Sequence, residues 1–183
     1  MTQPLLSLTL FRHAKSESPA GLGGDPGVSG GAGEDANRRL TRRGRRVART
    51  MGGFVSGAGL APDLALTSPA VRAQRTLELA ARAGRWGCPV LVRPGLYGGG
   101  VEEVLDEIRA VPVDVRSLVV VGHEPVLSAT ACELSGAVDI ALPTAAMLRL
   151  ALGIGRWSDL ERRTARIDWL VVPRLLEPRS LEG

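Results

Sequence analysis

The most regular feature of the chain is a series of short apolar runs separated by segments with helical patterns. These runs cover residues 5–11, 63–67, 90–93, 117–122, 147–153 and 166–173. Near-continuous Val and Leu runs are typical of strands that are covered on both faces, and strands that alternate with helices run mostly parallel. The pattern therefore predicts an α/β fold, a three-layer α/β/α sandwich with a mostly parallel central sheet.

Several helices between these strands have recognisable ends. Ser68, followed by Pro69, is predicted to cap a helix that ends at Gly84. Thr41 is predicted to cap another helix, although internal glycines lower its helix propensity. A further helix is predicted over residues 101–111, where four apolar side chains share one stripe and a proline follows. Helices at these places would cover the two faces of the sheet.

The length and the apolar pattern favour a single domain that spans residues 1–183. A Gly-rich stretch at about residues 19–34 is predicted to be a flexible surface loop, and its spacing matches no phosphate-binding glycine motif. No apolar run approaches the roughly 20 residues of a membrane-spanning helix. The first residues also lack a basic leader and a cleavage site. We therefore expect a cytoplasmic protein with no membrane partner.

The chain is basic, with a formal net charge of +4 and a pI of ≈ 10.0. Residues 38–49 contain seven arginines and no acidic residue. Such a patch could contact the phosphates of a nucleic acid, but aromatic residues for base stacking make up only 3% of the chain. A solvated helix face and a surface that steers acidic protein substrates remain open as other interpretations. A nucleic-acid partner is therefore not favoured.

Cationic and imidazole side chains follow the predicted strands. Arg12 and His13 come directly after the first strand, and Arg72 lies one turn into the helix after the second. His123 follows the strand at 117–122. Ligand sites in α/β sheets lie beyond the carboxyl ends of the strands, and guanidinium groups match the oxygens of a phosphoryl group. The sequence therefore predicts a pocket for a tetrahedral phosphoryl group at this edge.

His13 is the nucleophile predicted for this pocket. Neighbouring cations disfavour the imidazolium form, so the pKa of His13 should be low and the ring neutral. Attack of a ring nitrogen on phosphorus would give a phosphohistidine enzyme that water hydrolyses. Arg12, Arg72 and His123 would stabilise the transferred group. Lys15, the only lysine of the chain, is either a further phosphate contact or a surface residue.

Four motifs, in the order FRHAKS, LTRRGRR, TSPAVRAQRT and VVGHEP, resemble those of the histidine phosphatase superfamily, which includes the phosphoglycerate mutases. The RHAKS motif and the short chain are most similar to the SixA-type phosphohistidine phosphatases. The resemblance extends over about residues 6–173 and implies a phosphoglycerate mutase-like fold. It implies that His13 is phosphorylated and that Arg12, Arg72 and His123 bind the phosphoryl group. It also implies a reaction that needs no metal and no other cofactor.

The general acid is less clearly marked in the sequence. The resemblance to larger relatives places a carboxylic acid after the second helix, where Glu102 and Glu103 are the candidates and Glu102 is favoured. Acidic residues that stabilise a helix N-terminus explain the same two glutamates equally well.

The choice of substrate follows from this ambiguity. An alcohol leaves poorly without a proton, whereas imidazole, with a conjugate-acid pKa of about 6.5, leaves readily. The chain between Arg72 and His123 is also short for a helical cap. The predicted substrate is therefore a protein phosphohistidine. A broad phosphatase for small phosphate esters or anhydrides is an alternative, and an arginine-rich protein that binds nucleic acid or phosphate is a non-enzyme alternative.

Overall fold

The computed structural model describes residues 5–18 and 35–176. Six strands in these ranges form one sheet in the order β3-β2-β4-β1-β5-β6. They are β1 (Leu6–Arg12), β2 (Leu64–Thr67), β3 (Val90–Val92), β4 (Ser117–Gly122), β5 (Met147–Leu152) and β6 (Ala165–Val171). The first four run parallel, whereas β5 is antiparallel to β1 and β6 is antiparallel to β5. The predicted, mostly parallel sheet is confirmed.

Four α-helices lie wholly within the described residues and cover both faces of the sheet. They are α1 (Arg42–Gly57), α2 (Val71–Gly84), α3 (Val101–Arg109) and α4 (Val126–Ser135). Helices α1 and α2 share one apolar cluster with the sheet, and α3 and α4 share a second. Adjacent residues of β1 face opposite layers, because Leu10 belongs to the second cluster and Phe11 to the first. The three-layer arrangement is as the apolar runs predict.

The helix caps agree with the sequence in one case and differ in another. Thr41 caps α1, since its side-chain oxygen accepts a hydrogen bond from Gly44 N–H at 3.0 Å. Helix α2 begins at Val71 with no side-chain cap, so the prediction that Ser68 caps it is wrong. The Ser68 hydroxyl instead accepts from Ala70 N–H at 3.2 Å in the turn that leads into α2. The Ser68 hydroxyl also forms a hydrogen bond with His123, a residue of the candidate site.

The segment after β1 is held tightly between two helices. The backbone N–H and the hydroxyl of Thr41 donate to the Lys15 carbonyl at 3.0 and 3.1 Å. A Cβ atom at Gly44 would overlap that same carbonyl, so α1 can approach this closely only with glycine there. On the other side, Ala14 N–H donates to the Thr76 hydroxyl of α2 at 3.0 Å. These bonds fix the backbone that carries His13.

The Gly-rich loop predicted at residues 19–34 lies outside the described residues. Every helix in the described part of the chain is too short or too polar to span a lipid bilayer.

Candidate active site

The register of the central strands brings the predicted site residues together. Arg12 at the end of β1 pairs with Gly122 at the end of β4, and β2 ends at nearly the same level. His13, His123 and Ser68 each follow directly after one of these strands. Since neighbouring strands are about 4.8 Å apart, residues in these positions must be close. The ring centroids of His13 and His123 are 5.0 Å apart.

A cavity of about 380 Å³ opens beside the two rings. The predicted residues Arg12, His13, Arg72 and His123 all line it, together with Lys15, Arg38 and Glu124. The cations on its wall outnumber the carboxylates, so the cavity attracts anions.

Four buried side-chain nitrogens of the residues that line this cavity have no hydrogen-bond partner in the described part of the chain, and one of them, Arg38 Nε, is 2.9 Å from the Asp35 carboxylate in an ion pair. The other three are Nε of Arg12, Nε of Arg72 and Nδ1 of His123. Arg12 is anchored from behind, because its Nη1 donates to the Leu142 carbonyl at 2.7 Å. A buried donor without a partner costs about 1–3 kcal/mol. Oxygen atoms of a bound tetrahedral anion would supply the missing acceptors.

The hydrogen bonding of His13 defines which of its ring nitrogens carries the proton. Its Nδ1 lies 2.8 Å from the Ala14 carbonyl oxygen, which can only accept, so Nδ1 carries the proton and Nε2 of the neutral ring keeps its lone pair. Burial lowers the pKa of His13 to about 4, the Ala14 hydrogen bond acts in the opposite direction, and the charges of Arg72 and Arg12 add to the effect of burial. The sequence predicts a low pKa from the cations, whereas burial is the larger cause.

His123 is hydrogen-bonded through its other ring nitrogen. Its Nε2 lies 2.8 Å from the Ser68 hydroxyl oxygen, which also accepts from Ala70 N–H. When the Ser68 hydroxyl donates its proton to Nε2, the proton of the neutral ring lies on Nδ1. Burial lowers the pKa of His123 to about 3, helped by the nearby charge of His13. A neutral His123 can therefore still donate to an anion through Nδ1.

Two residues that the sequence analysis missed, Asp35 and Tyr97, hold Arg72 in place. Arg72 Nη1 donates to the Asp35 carbonyl at 2.5 Å, and Nη2 donates to the Asp35 carboxylate at 2.9 Å. The Tyr97 hydroxyl donates to the same carboxylate at 3.0 Å, and its ring centroid is 5.4 Å from that of His123. The only sequence signal for either residue is that Tyr97 is the single tyrosine of the chain.

The Asp35 carboxylate also lies 2.9 Å from the Arg38 guanidinium. Partial burial raises the pKa of Asp35, but hydrogen bonds from Tyr97 and Arg72 outweigh it and the pKa lies below its ordinary value. Asp35 is therefore ionised at neutral pH. Its contacts suit a residue that orients two arginines and do not suit a proton donor.

The structure does not bring the predicted general acid to this cavity. The Glu102 carboxylate is 3.1 Å from Arg162 and 3.5 Å from Arg109, and Glu102 is not part of the cavity wall. The Glu103 carboxylate accepts from Gly100 N–H at 2.8 Å. These contacts correspond to the other interpretation of the sequence, in which both glutamates stabilise the start of α3.

Lys15 and Glu124 occupy the rim of the cavity. Lys15 is exposed and contributes to the cavity wall. The Glu124 carboxylate accepts from the hydroxyl of Ser128 at 2.5 Å and from its backbone N–H at 3.2 Å, so it is oriented by α4. Among the described residues, no group of three or more His, Cys, Asp or Glu side chains could hold a metal ion.

The two lowered pKa values can be checked by NMR, because the chain has only two histidines. In the ligand-free protein we expect both rings to stay neutral until the pH approaches about 4, whereas an ordinary histidine titrates near about 6.5. In the unfolded chain both histidines would bind protons near a pH of about 6.5, the ordinary pKa of histidine. The free energy of unfolding should therefore fall as the pH drops from about 6.5 toward about 4. The ring resonances, assigned with His13→Asn and His123→Asn, report the titration. A ring that titrates near its ordinary pKa would contradict the expected burial.

The comparisons with known sequences give one matching family model and relatives that align over most of the chain. The model of the histidine phosphatase superfamily (branch 1) matches residues 8–97, which include His13 and Arg72. An uncharacterized protein of Mycobacterium tuberculosis is 36% identical over 176 residues, covering 90% of this chain and 100% of that protein. An uncharacterized protein of Mycobacterium leprae is 32% identical over 173 residues, with the same coverage of 90% and 100%.

The comparisons with solved structures extend this agreement beyond the matched segment. A protein of Nakamurella multipartitia assigned as the phosphohistidine phosphatase SixA is 30% identical, with a TM-score of 0.75 over 94% of this chain and 99% of that chain. The protein histidine phosphatase SixA complexed with tungstate has the same fold, at 23% identity and a TM-score of 0.75 over 94% of this chain and 100% of that chain. Together with the motifs that carry the two histidines, these similarities show that the chain belongs to the histidine phosphatase superfamily.

Proposed function

We propose that the protein is a phosphatase that transfers a phosphoryl group first to Nε2 of His13 and then to water. The observation that carries this proposal is the arrangement around His13. Its neutral ring presents a free Nε2 lone pair, and three buried donors without partners lie at the same cavity. A nucleophile beside donors for developing negative charge is the combination that phosphoryl transfer requires.

In the first step, His13 Nε2 forms a bond to phosphorus while the bond from phosphorus to the leaving group breaks. The negative charge on the phosphoryl oxygens is met by Arg12 Nε, Arg72 Nε and His123 Nδ1–H, which are already in place. Positive charge develops on the His13 ring, and the Ala14 carbonyl at Nδ1 stabilises it.

In the second step, a water oxygen forms a bond to phosphorus as the bond to His13 Nε2 breaks. Inorganic phosphate leaves, and His13 returns to its neutral form with the proton still on Nδ1. The water protons pass to the phosphate and to solvent. The same three donors serve both steps, because the phosphoryl group stays in the same cavity.

We propose that the substrate is a phosphohistidine side chain of another protein. The reaction needs no metal ion and takes place in the cytoplasm. Glu102 and Glu103 are engaged away from the cavity, and Asp35 is ionised. An imidazole leaving group depends less on a proton donor than an alcohol does. Between residues 85 and 116, the chain forms β3, a 3₁₀ helix (Pro94–Leu96) and α3, and α3 packs on the core, so this stretch forms no helical cap. The SixA protein of Nakamurella multipartitia is assigned to the same substrate class.

The experiment compares a phosphohistidine protein with an alkyl phosphate ester on one enzyme preparation. We expect kcat/KM for the phosphohistidine protein to be higher by at least about tenfold, because the ester lacks a positioned acid for its leaving group. A preference for the ester would overturn the substrate and favour a broad phosphatase for small esters or anhydrides. Addition of EDTA should leave both rates unchanged, and a loss that added divalent metal restores would contradict a metal-independent reaction.

A further inference from the structure

The cavity beside His13 and His123 is called the phosphoryl pocket below. A second cavity, of about 410 Å³, adjoins it, and this second cavity is called the lateral groove. It lies between the N-terminal half of α1, the segment 143–145 before β5 and the 3₁₀ helix Pro173–Leu175. Lys15 and Thr144 line both cavities. The two cavities therefore meet at Lys15 and Thr144.

The lateral groove combines an apolar wall with cationic side chains. Val47 of α1 is buried, and Val172 and Pro173 are half-buried opposite it. The cationic residues of the groove are Lys15, Arg43 and Arg174. No acidic side chain is among the described residues that line it. The groove is therefore complementary to a ligand that has both apolar and anionic groups.

We propose that the lateral groove binds an acidic segment of the phosphoprotein substrate, adjacent to the phosphorylated residue. An apolar side chain of this segment packs against Val47 and Val172, and its carboxylates face the cationic residues of the groove. The proposal rests on the proposed function, since it places the phosphorylated residue beside His13.

A protein segment fits the lateral groove better than the other anionic ligands do. The described wall contains no aromatic side chain, and stacking on aromatic side chains is the main way in which proteins hold single-stranded nucleic acid. A small phosphate ester would be satisfied by the phosphoryl pocket and would leave the groove empty. Only a chain that extends from the phosphoryl group uses both cavities.

The test uses two phosphohistidine peptides that differ only in the residues beside the phosphohistidine, which are glutamates in one and glutamines in the other. The wild-type enzyme should have a kcat/KM for the glutamate peptide higher by about fivefold or more at low salt, with the difference mainly in KM. In Arg174→Glu, the ratio of kcat/KM for the glutamate peptide to that for an aryl phosphate should fall by about tenfold. Arg174 is exposed, so this change does not disturb the core.

Arg82→Glu is the matched control, because Arg82 is exposed near the end of α2 and does not line the lateral groove. It changes the net charge by the same amount, and the ratio should stay close to the wild-type value. An equal fall of this ratio in both variants would overturn the proposal for the lateral groove, since it would show a general effect of net charge. Equal kcat/KM values for the two peptides in the wild-type enzyme would overturn it as well.

Binding without turnover separates this proposal from the proposed function. The unphosphorylated glutamate peptide, labelled with a fluorophore, should bind the wild-type enzyme and bind Arg174→Glu more weakly, as measured by anisotropy. If both peptides are hydrolysed but the labelled peptide does not bind, only the groove fails. If it binds in this way while no phosphohistidine is hydrolysed, the groove stands and the proposed substrate fails. Displacement by a single-stranded oligonucleotide at lower concentration than by the unlabelled glutamate peptide would assign the groove to nucleic acid and overturn the proposal.

Discussion

His13→Asn should reduce turnover of an aryl phosphate by at least about 10⁴-fold, because the variant has no nucleophile for phosphorus. Asparagine is chosen because its side-chain N–H₂ can still donate to the Ala14 carbonyl, which His13 Nδ1 contacts at 2.8 Å. The fold should therefore survive the substitution. Steady-state rates give the loss, and circular dichroism with thermal unfolding shows that the variant is folded. Turnover within about tenfold of the wild type would remove His13 from the proposed role.

The matched control for this variant is His123→Asn. The two rings lie side by side, but in our mechanism only His13 forms a bond to phosphorus. When each protein is mixed with radiolabelled substrate and quenched, the wild type and His123→Asn should carry an acid-labile, base-stable phosphoryl label, and His13→Asn should carry none. If His13→Asn carries the label and His123→Asn does not, His123 is the nucleophile and the two roles are exchanged.

Arg72→Ala should lower kcat/KM by about 10²–10³-fold, equivalent to about 2.7–4 kcal/mol of transition-state stabilisation. Arg72 is buried, its Nε has no partner in the described part of the chain, and Asp35 holds the rest of the guanidinium group. The donor is therefore oriented before the substrate arrives, and its loss removes stabilisation that water in the vacated space cannot replace. Steady-state kinetics on an aryl phosphate provide the measurement.

Arg75→Ala is the control for this prediction, since Arg75 lies on the same helix, is exposed and pairs with Glu78. Its kcat/KM should stay within about twofold of the wild type. Arg72→Lys adds a second comparison, because lysine keeps the charge but lacks the planar fork and should recover only part of the loss. The assignment of Arg72 fails if Arg72→Ala, shown to be folded, loses no more than Arg75→Ala.

The strands and the two histidines were accessible from the sequence because each is encoded locally. A run such as SLVVVG at residues 117–122 must be buried wherever it lies, and a polar segment that follows it must emerge at the edge of the sheet. The resemblance to the histidine phosphatase superfamily, which the comparisons confirm, rests on motifs of the same local kind. His13 and His123 could therefore be placed beside each other before any distance was known.

Asp35, Tyr97 and the contact of Ser68 with His123 could not be found in this way. Asp35 lies in a helical turn and Tyr97 in a bend. What makes them important is the contact of Asp35 with Arg72 and of Tyr97 with Asp35, which no local pattern encodes. The Ser68 sequence context predicts a helix cap, but α2 begins three residues later and leaves the hydroxyl available to His123. Glu102 is the opposite case. The sequence marks it as a candidate general acid, but in the structure its carboxylate accepts a hydrogen bond from Arg162 on the surface.

The sequence by itself determined which segments are buried, the α/β class and the residue types available for phosphoryl transfer, since hydrophobic periodicity and strand-end motifs act over a few residues. The tertiary structure decided which nitrogen of each histidine is hydrogen-bonded, which buried nitrogens are left without partners and where a second cavity adjoins the first. These properties depend on hydrogen bonds and burial that form only when β1, β2 and β4 lie side by side, and such contacts join residues far apart along the chain.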